Sequence, residues 1–301
     1  MVTTVTLAEE YQAQGFVHVP AFFVGRVLQQ LIAEVDRVTA TEPTPRGPWL
    51  GPWLDEAEYR RRPVTLTTIH HLHLLSPYWR EMMTSDSIRA LMGSLVGCDD
   101  VELCRATIIT KPPETGAPFP LHQDGAYIDM APHYVQAVVY LDDMTEENGP
   151  IRFLAGSHRQ GLLPHSTEGK RHLPLDTYSL EQATPILAKA GDIVCFSPWA
   201  VHGSDRNRSQ QIRRTVRLGY AGHGEIDMIK VRYACGHEGM VSISGDAVPR
   251  CHCGEQQIVQ TSAPAPRFRG ACSGPYAETK AVEPAIVNVA TAGPLRLKPQ
   301  E

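Results

Sequence analysis

The segments LHQDG at residues 121–125 and VHGS at residues 201–204 decide how the rest of the chain is interpreted. His122 and Asp124 are two residues apart, and side chains at positions i and i+2 of a β-strand point to the same face. We therefore expect one imidazole and one carboxylate to bind a metal ion from one side. His202, on a distant strand, completes a set of two histidines and one carboxylate. That set leaves coordination positions open and is typical of non-haem Fe(II) oxygenases.

Short β-rich runs surround these two segments. They alternate with turns that contain Pro and Gly, and many short strands at such spacing indicate a sandwich or a barrel. Helices are predicted within residues 5–40, on both sides of a short strand at 15–20, and within residues 77–97, where Ser85 or Asp86 would cap a helix and Gly97 would end it. The β-rich runs are VELCRATIIT (101–110), YVQAVVYLDD (134–143), PIRFLAGSH (150–158), GDIVCFSP (191–198) and TVRLGYAG (215–222).

Composition and charge exclude several classes of protein. The 301 residues are 42% hydrophobic and 20% charged, which indicates a globular chain with a sizeable core. A formal net charge of -5 argues against a nucleic-acid-binding protein with a broadly basic surface. No apolar run approaches the roughly 18 residues that span a bilayer, and the N-terminus lacks the pattern of a secretory signal. We expect a cytoplasmic protein with reduced cysteines that binds neither membranes nor nucleic acids.

A longer pattern, KPP…LHQDGAYIDM…LDDMTEENGPIRFLAGSH…GDIVCFSPWAVHGSDRNRSQQIRR, resembles the phytanoyl-CoA dioxygenase family of Fe(II)/2-oxoglutarate oxygenases. The resemblance covers residues 8–222. It implies a mainly β fold, a double-stranded β-helix or cupin-like jelly roll with flanking N-terminal helices. It also implies that His122, Asp124 and His202 are catalytic iron ligands and that 2-oxoglutarate and O2 are co-substrates. Because relatives that halogenate lack the carboxylate, Asp124 favours hydroxylation or a related oxidation.

The resemblance also implies where 2-oxoglutarate binds. Arg213 lies eleven residues after His202, the spacing at which the family carries its co-substrate arginine, and a guanidinium matches a carboxylate in bidentate fashion. Arg214 and Arg217 are alternatives. On a strand, Arg213 and Arg217 would face the same side and Arg214 the other.

Two hydroxyls and one aromatic position complete this reading. Ser204 and Thr107 match family contacts to the co-substrate, although bonding to the backbone is an equally good role for either hydroxyl. The family often carries a large aromatic residue where this chain has Val138, with Tyr140 close by, so the pocket wall is expected to differ there. His70, His71 and His73 occupy a region that lines the family's pocket, where they either contact substrate or are partly buried structural residues.

A Cys- and His-rich segment follows the region of resemblance. Cys235 and His237 form one pair and Cys251 and Cys253 another, and such pairs on turns build tetrahedral zinc sites. Each pair has one intervening residue, whereas zinc ribbons usually have two. Cys272 or His252 is an alternative ligand, and free or disulfide-bonded cysteines are the alternative to a site. Four protein ligands would make the zinc structural.

We therefore predict three parts: a dioxygenase domain at residues 1–222, a zinc-binding hairpin module at 223–275, and a tail at 276–301. The predicted function is an Fe(II)- and 2-oxoglutarate-dependent hydroxylase that acts on a small molecule, with specialised metabolites as one candidate class, and releases succinate and CO2. The alternatives are a non-catalytic jelly-roll scaffold that docks a macromolecule through its Cys-rich module, and a metal-dependent cupin isomerase or hydrolase. The sequence indicates neither the substrate nor the oligomeric state.

Overall fold

A computed structural model describes the chain in segments. The described residues are 6–41, 67–114, 116, 118–126, 133–166, 172–223, 228–233, 238–242 and 258–261. Within them, no helix is long and apolar enough to cross a bilayer.

The predicted N-terminal helices are present. Helix α1 (Leu7–Gln14) begins at a capping box between Thr6 and Glu9 and ends at Gly15, whose φ of 84° suits a residue without a side chain. Strand β1 (Phe16–Val19) and helix α2 (Gly25–Thr41) follow.

The second helical region is also confirmed. It holds α3 (Leu72–Leu75), α4 (Pro77–Met83) and α5 (Asp86–Val96), of which α5 follows Ser85 at the cap position and ends at Gly97 with φ 70°. The side chain of Ser85 makes no capping hydrogen bond, whereas that of Ser76 accepts one from the backbone of Trp79 at the start of α4.

A six-stranded antiparallel sheet, here called the major sheet, forms the larger part of the fold. Its longest strands are β3 (Val101–Lys111) and β10 (Arg213–Gly222), which are direct neighbours. The other members are β2 (Thr67–His70), β5 (Val135–Tyr140) and β8 (Ile193–Phe196), with β1 at one edge. The strand order is β1-β8-β5-β10-β3-β2.

A four-stranded sheet, here called the minor sheet, packs against one face of the major sheet. Its strands are β4 (Phe119–His122), β6 (Ile151–Phe153), β7 (Thr184–Pro185) and β9 (His202–Ser204), in the order β4-β9-β6-β7. Phe153 of the minor sheet is fully buried against Phe16 and Phe196 of the major sheet. Two antiparallel sheets in face-to-face contact confirm the predicted mainly β class.

The helices cover the other face of the major sheet and close the main core. Trp79 is fully buried there and its indole N–H donates to the carbonyl of Leu31 at 3.1 Å, while the hydroxyl of Tyr220 donates to the carbonyl of Met83 at 2.7 Å. Each fully buried apolar side chain stabilises the fold by roughly 1.5–3 kcal/mol. The helical layer packs against one face of β3 and β10. Their other face, towards the minor sheet, lines a pocket.

Three further strands follow the major sheet. They are β11 (Met228–Tyr233), β12 (Glu238–Ser242) and β13 (Ile258–Thr261), which form an antiparallel sheet of their own in the order β12-β11-β13. All four predicted zinc ligands lie outside the described residues, as do Cys272 and His252. Cys104 and Cys195 are free, as expected, but Cys98 is disulfide-bonded, so the expectation of reduced cysteines is wrong for that residue.

Candidate active site

The two histidines of the predicted triad are direct cross-strand partners. β4 and β9 pair antiparallel in a register that sets His122 opposite His202, and the ring centroids are 4.4 Å apart. The adjacent Gly203 has no room for a side chain, because an added Cβ would lie 2.6 Å from the carbonyl oxygen of Phe119. A glycine therefore lets the two short strands come close enough to bring both imidazoles together.

Asp124 lies on a turn and not on the strand that the sequence predicted. β4 ends at His122, and Asp124 begins a short 3-10 turn, Asp124–Ala126, instead of continuing the strand. An added Cβ at Gly125 would lie 2.5 Å from the ring of Trp199, so the turn needs glycine at that position.

The turn still places the carboxylate beside both imidazoles. The Nε2 atoms of His122 and His202 each lie 3.6 Å from an oxygen of Asp124. The three possible ligand atoms all lie within 4.8 Å of one another.

Backbone carbonyls fix the orientation of both imidazoles. Nδ1 of His122 lies 2.8 Å from the carbonyl oxygen of Pro120, and Nδ1 of His202 lies 2.9 Å from that of Ala200. A carbonyl oxygen can only accept, so each Nδ1 carries a proton, and in the neutral ring Nε2 presents its lone pair to the site. Burial lowers the pKa of His202 to about 4, with a further contribution from His122, so the ring is a neutral ligand at physiological pH.

The major sheet supports the carboxylate of Asp124. The side-chain amide of Gln136, on β5, donates to Oδ2 of Asp124 at 2.7 Å, and Nη1 of Arg217, on β10, lies 3.4 Å from the same carboxylate. Burial raises the pKa of Asp124, but Arg217 and the two histidines outweigh it, so that pKa lies well below its usual range. A carboxylate and two imidazoles in this arrangement fit a divalent transition-metal ion with open positions.

Arg213 lies in the same pocket, as predicted. It is buried at the start of β10, where Nη1 donates to the hydroxyl of Thr215 at 3.0 Å and Nη2 to the carbonyl of Gly149 at 3.2 Å. Its Nε is buried and has no hydrogen-bond partner in the part of the chain that the structure describes, and the same holds for the hydroxyl of Tyr140. Burial lowers the pKa of Arg213 to about 10, which leaves the side chain charged at neutral pH.

Lys111 is a residue next to the pocket that the sequence did not identify; it contacts the pocket residue Ser204. It ends β3 directly opposite Arg213, is fully buried, and its ammonium donates to the hydroxyl of Ser204 at 2.7 Å and to the carbonyl of Asp205. The ammonium also lies 5.4 Å from the centre of the Phe119 ring. Burial lowers the pKa of Lys111 well below its usual range, and Arg213 adds to this effect. The KPP motif was the available signal, but it served only as a mark of the family.

The metal and arginine positions share one pocket of about 520 Å³ between the two sheets. Val138, where the family often has an aromatic, lies in its wall together with Tyr140. The lining residues are Ile109, Phe119, His122, Val138, Tyr140, Ile151, Phe196, His202, Gly203, Ser204, Arg213, Thr215 and Arg217.

The remaining predicted residues divide between this pocket and its surroundings. Ser204 lines the pocket, whereas Thr107 is buried on β3 next to it, with its hydroxyl 3.4 Å from Nδ1 of His70. Arg214 faces the other side of the sheet, as strand alternation predicts, and forms ion pairs with Asp36 and Asp142.

Comparison with known proteins gives a consistent picture. The sequence profile described as phytanoyl-CoA dioxygenase (PhyH) matches residues 11–215. Methylphosphonate hydroxylase of Gimesia maris is 26% identical over 238 residues, which cover 78% of this chain and 87% of that protein. A phytanoyl-CoA dioxygenase domain-containing protein 1 homolog of Dictyostelium discoideum is 30% identical over half of this chain, and the match spans 56% of that relative.

Solved structures share the fold. The epimerase SnoN from nogalamycin biosynthesis, described as α-ketoglutarate dependent, superimposes with a TM-score of 0.58 at 24% identity, over 72% of this chain and 82% of SnoN. EvdO2 from Micromonospora carbonacea var. aurantiaca, solved with 2-oxoglutarate, gives a TM-score of 0.57 at 22% identity, over 84% of this chain and 98% of EvdO2.

Proposed function

This chain belongs to the phytanoyl-CoA dioxygenase family, and from that premise we propose that it is an Fe(II)- and 2-oxoglutarate-dependent hydroxylase of a small molecule. One observation carries the proposal. A triad of two imidazoles and one carboxylate, in which Asp124 and His202 are buried, opens into the same pocket as Arg213, a buried cation whose Nε has no partner among the described residues. A metal ion and a dicarboxylate can therefore bind next to each other.

His122, Asp124 and His202 are the proposed iron ligands. Their donor set suits Fe(II), and the carbonyl-bound Nδ1 atoms and Gln136 hold the ligands in place before metal binds. Bound iron and 2-oxoglutarate would supply the oxidising chemistry, in which O2 and 2-oxoglutarate are consumed, one oxygen atom enters the substrate, and succinate and CO2 are released. Asp124 occupies the position that halogenating relatives leave open, which favours hydroxylation.

Arg213 is the proposed partner of the far carboxylate of 2-oxoglutarate. A buried guanidinium without a carboxylate partner in the described structure is costly unless an anion binds it. The hydroxyls of Tyr140 and Ser204 line the same pocket, so they can donate to that carboxylate, and Lys111 binds the Ser204 hydroxyl from outside the pocket. Thr107 remains a proposed contact of lower rank, because it does not line the described pocket.

The proposed substrate is a small molecule, because the relatives include hydroxylases named for methylphosphonate and for L-proline. Involvement in specialised metabolism stays a proposal of the same kind. A non-catalytic scaffold is the second candidate, although a scaffold has no need for charged side chains buried beside a metal-binding triad.

Turnover of labelled 2-oxoglutarate tests the function. Protein loaded with Fe(II) under ascorbate should release labelled succinate and CO2 when a suitable small molecule is added from a broad panel. Release that depends on both iron and O2 supports the hydroxylase. Tight binding of a macromolecule, with no release from any compound in the panel, would favour the scaffold.

For the region after residue 222 we propose a separate module at 223–275, with a tail at 276–301. Among the described residues, strands β11 to β13 pair only with one another as a sheet, which supports the division. Cys235, His237, Cys251 and Cys253 are the proposed ligands of a structural zinc ion. Metal analysis of Cys251→Ser against the wild type tests the set, because an unchanged zinc content removes Cys251 from it.

A further inference from the structure

The floor of the pocket continues past the triad as a row of polar side chains. On β10, Arg217 lies opposite Val138 of β5 and Thr107 of β3, and Thr107 in turn lies opposite His70 of β2. Arg105 is two residues further along β3, on the same face as Thr107. Arg217 is four residues from Arg213, about 13 Å along the strand. The row therefore extends away from the proposed 2-oxoglutarate carboxylate.

Arg217 has donors that its protein neighbours do not use. Its Nε is buried and has no hydrogen-bond partner among the described residues, and its contact with Asp124 is 3.4 Å long. Charge-assisted hydrogen bonds between nitrogen and a carboxylate oxygen are normally about 2.7–2.9 Å. A metal ion at the triad would also draw on the oxygens of Asp124. Arg217 thus presents a guanidinium to the pocket with capacity for another anion.

Arg105 is a second cation with spare donors. It is half-buried opposite Gly219 and forms neither a hydrogen bond nor an ion pair within the described segments. The hydroxyl of Tyr134 occupies the space beside Gly219. A side chain at that position would collide with it, because an added Cβ would lie 2.3 Å from the hydroxyl oxygen. Burial raises the pKa of Tyr134, so its hydroxyl stays protonated and can donate a hydrogen bond.

His71 completes the polar rim of this region. Burial lowers the pKa of His71 to about 3, and the neighbouring His73, His70 and Arg105 add to the effect, so the ring is neutral at physiological pH. Its φ of 58° places a non-glycine residue in the left-handed region at the start of α3. Backbone strain of this kind is concentrated at ligand-binding sites.

We propose that Arg217 and Arg105 form an oxoanion subsite that binds a carboxylate, phosphonate or phosphate group of the substrate. This inference rests on the proposed function, because it assigns the substrate side of the same metal pocket. Arg217 lies 3.4 Å from the proposed metal ligand Asp124, so the subsite adjoins the metal position. Binding of an anionic group there places a neighbouring C–H bond near the open metal positions. The protein thereby selects small anions over neutral molecules of the same shape.

Equilibrium binding tests the subsite. Full-length protein loaded with Mn(II), which permits binding without turnover, is saturated with 2-oxoglutarate and titrated with propionate, ethylphosphonate and propionamide by calorimetry. We expect an anion to bind more tightly than the neutral amide, and the tighter of the two anions identifies the class of headgroup. Arg105→Gln and Arg217→Gln should each weaken anion binding by roughly 10- to 100-fold, the value of one charge-assisted hydrogen bond.

Two controls separate this proposal from the others. Arg26→Gln removes an exposed arginine of α2 and should leave anion binding unchanged, while Arg217→Lys keeps the charge and should retain part of the affinity. Equal affinity for propionate and propionamide, or wild-type anion binding in both Gln variants, would overturn the subsite. Failure of 2-oxoglutarate itself to bind would instead overturn the proposed function, and Arg105→Gln should not produce that result because Arg105 contacts no triad residue.

Discussion

The two sheets that enclose the pocket position their functional residues in different ways. The minor sheet holds the two proposed histidine ligands on strands of three and four residues, and the site relies on local features: Gly203, the turn at Asp124 and the carbonyl-bound imidazoles. The major sheet holds the cations on strands of ten and eleven residues, where the register alone places them. The metal site is therefore sensitive to small local changes, whereas the arginine positions depend on strand alternation.

Removal of a minor-sheet ligand should have the largest effect. Asp124→Ala deletes the carboxylate of the triad, and we expect Fe(II) affinity and succinate formation to fall by more than roughly 100-fold, the most that loss of an outer partner causes. Metal titration and turnover of labelled 2-oxoglutarate measure the change. Asp176→Ala, which removes an exposed carboxylate, is the control, and wild-type iron binding by Asp124→Ala would show that the triad is not the metal site.

Substitution of a cation on the major sheet should weaken the binding of 2-oxoglutarate without changing the affinity for iron. Arg213→Ala removes the proposed partner of the far carboxylate, so the Kd for 2-oxoglutarate should rise by roughly 10- to 100-fold with iron affinity retained. Arg214→Ala is a matched control, because the next residue on the strand faces Asp36 and Asp142 outside the pocket. A similar loss in both variants would mean that strand alternation does not set the binding site.

Gln136 links the major sheet to the turn that holds Asp124, and its substitution should lower metal affinity by less than the loss of Asp124 does. It lies on the major sheet but donates to Asp124 beside the minor sheet at 2.7 Å. Gln136→Leu removes that donor with little change in volume, so metal affinity should fall by roughly tenfold while 2-oxoglutarate still binds the remaining metal complex. Titration with Co(II) or Fe(II) gives the affinity. An unchanged value would show that the turn alone positions the carboxylate.

The smallest effect on the pocket is expected from substitution of Asp192, a carboxylate that contacts the edge strand β1 of the major sheet. Asp192 accepts hydrogen bonds from the backbone of Ala21 and Lys189 at 2.8 Å and lies 2.7 Å from Nε2 of His18. Burial raises the pKa of Asp192, but these hydrogen bonds outweigh it and leave the pKa below its usual value. Its contribution to stability is therefore present above the unfolded pKa of about 3.9 and is lost as the pH falls through the folded value.

Asp192→Asn should flatten that acid dependence of the unfolding free energy and cost about 1–3 kcal/mol at neutral pH. Denaturant unfolding at several pH values measures both quantities. Turnover per folded molecule should match the wild type, and a loss of turnover at full stability would contradict the separation between this cluster and the pocket.

The predictability of the site from sequence follows the same division between sheets. The sequence could predict that Arg213 and Arg214 face opposite sides of the sheet, because successive side chains alternate between the two faces along an unbroken strand. The placement of Asp124 on a strand was wrong, since β4 ends two residues earlier and a turn around Trp199 supplies the geometry. The three residues proposed as metal ligands nevertheless lie together, because several backbone routes can bring three such side chains to one point.

Other parts of the site depend on packing between distant segments. Lys111 was missed because lysines are rarely fully buried, and its role depends on Ser204 and Asp205, over ninety residues away. Gln136 was missed because its partner lies on another sheet. The helical layer and the mainly β core were predictable, since both rest on local hydrophobic patterns and on caps such as Gly97.

Anaerobic addition of 2-oxoglutarate to the Fe(II)-loaded wild type tests the central claim most directly, because a 2-oxo acid chelated to Fe(II) has a visible charge-transfer absorption. The account predicts that this absorption appears saturably with one iron per chain, is lost in Asp124→Ala, and needs a higher 2-oxoglutarate concentration in Arg213→Ala but not in Arg214→Ala. Stoichiometric iron binding by the wild type, without any absorption on addition of 2-oxoglutarate, would contradict it.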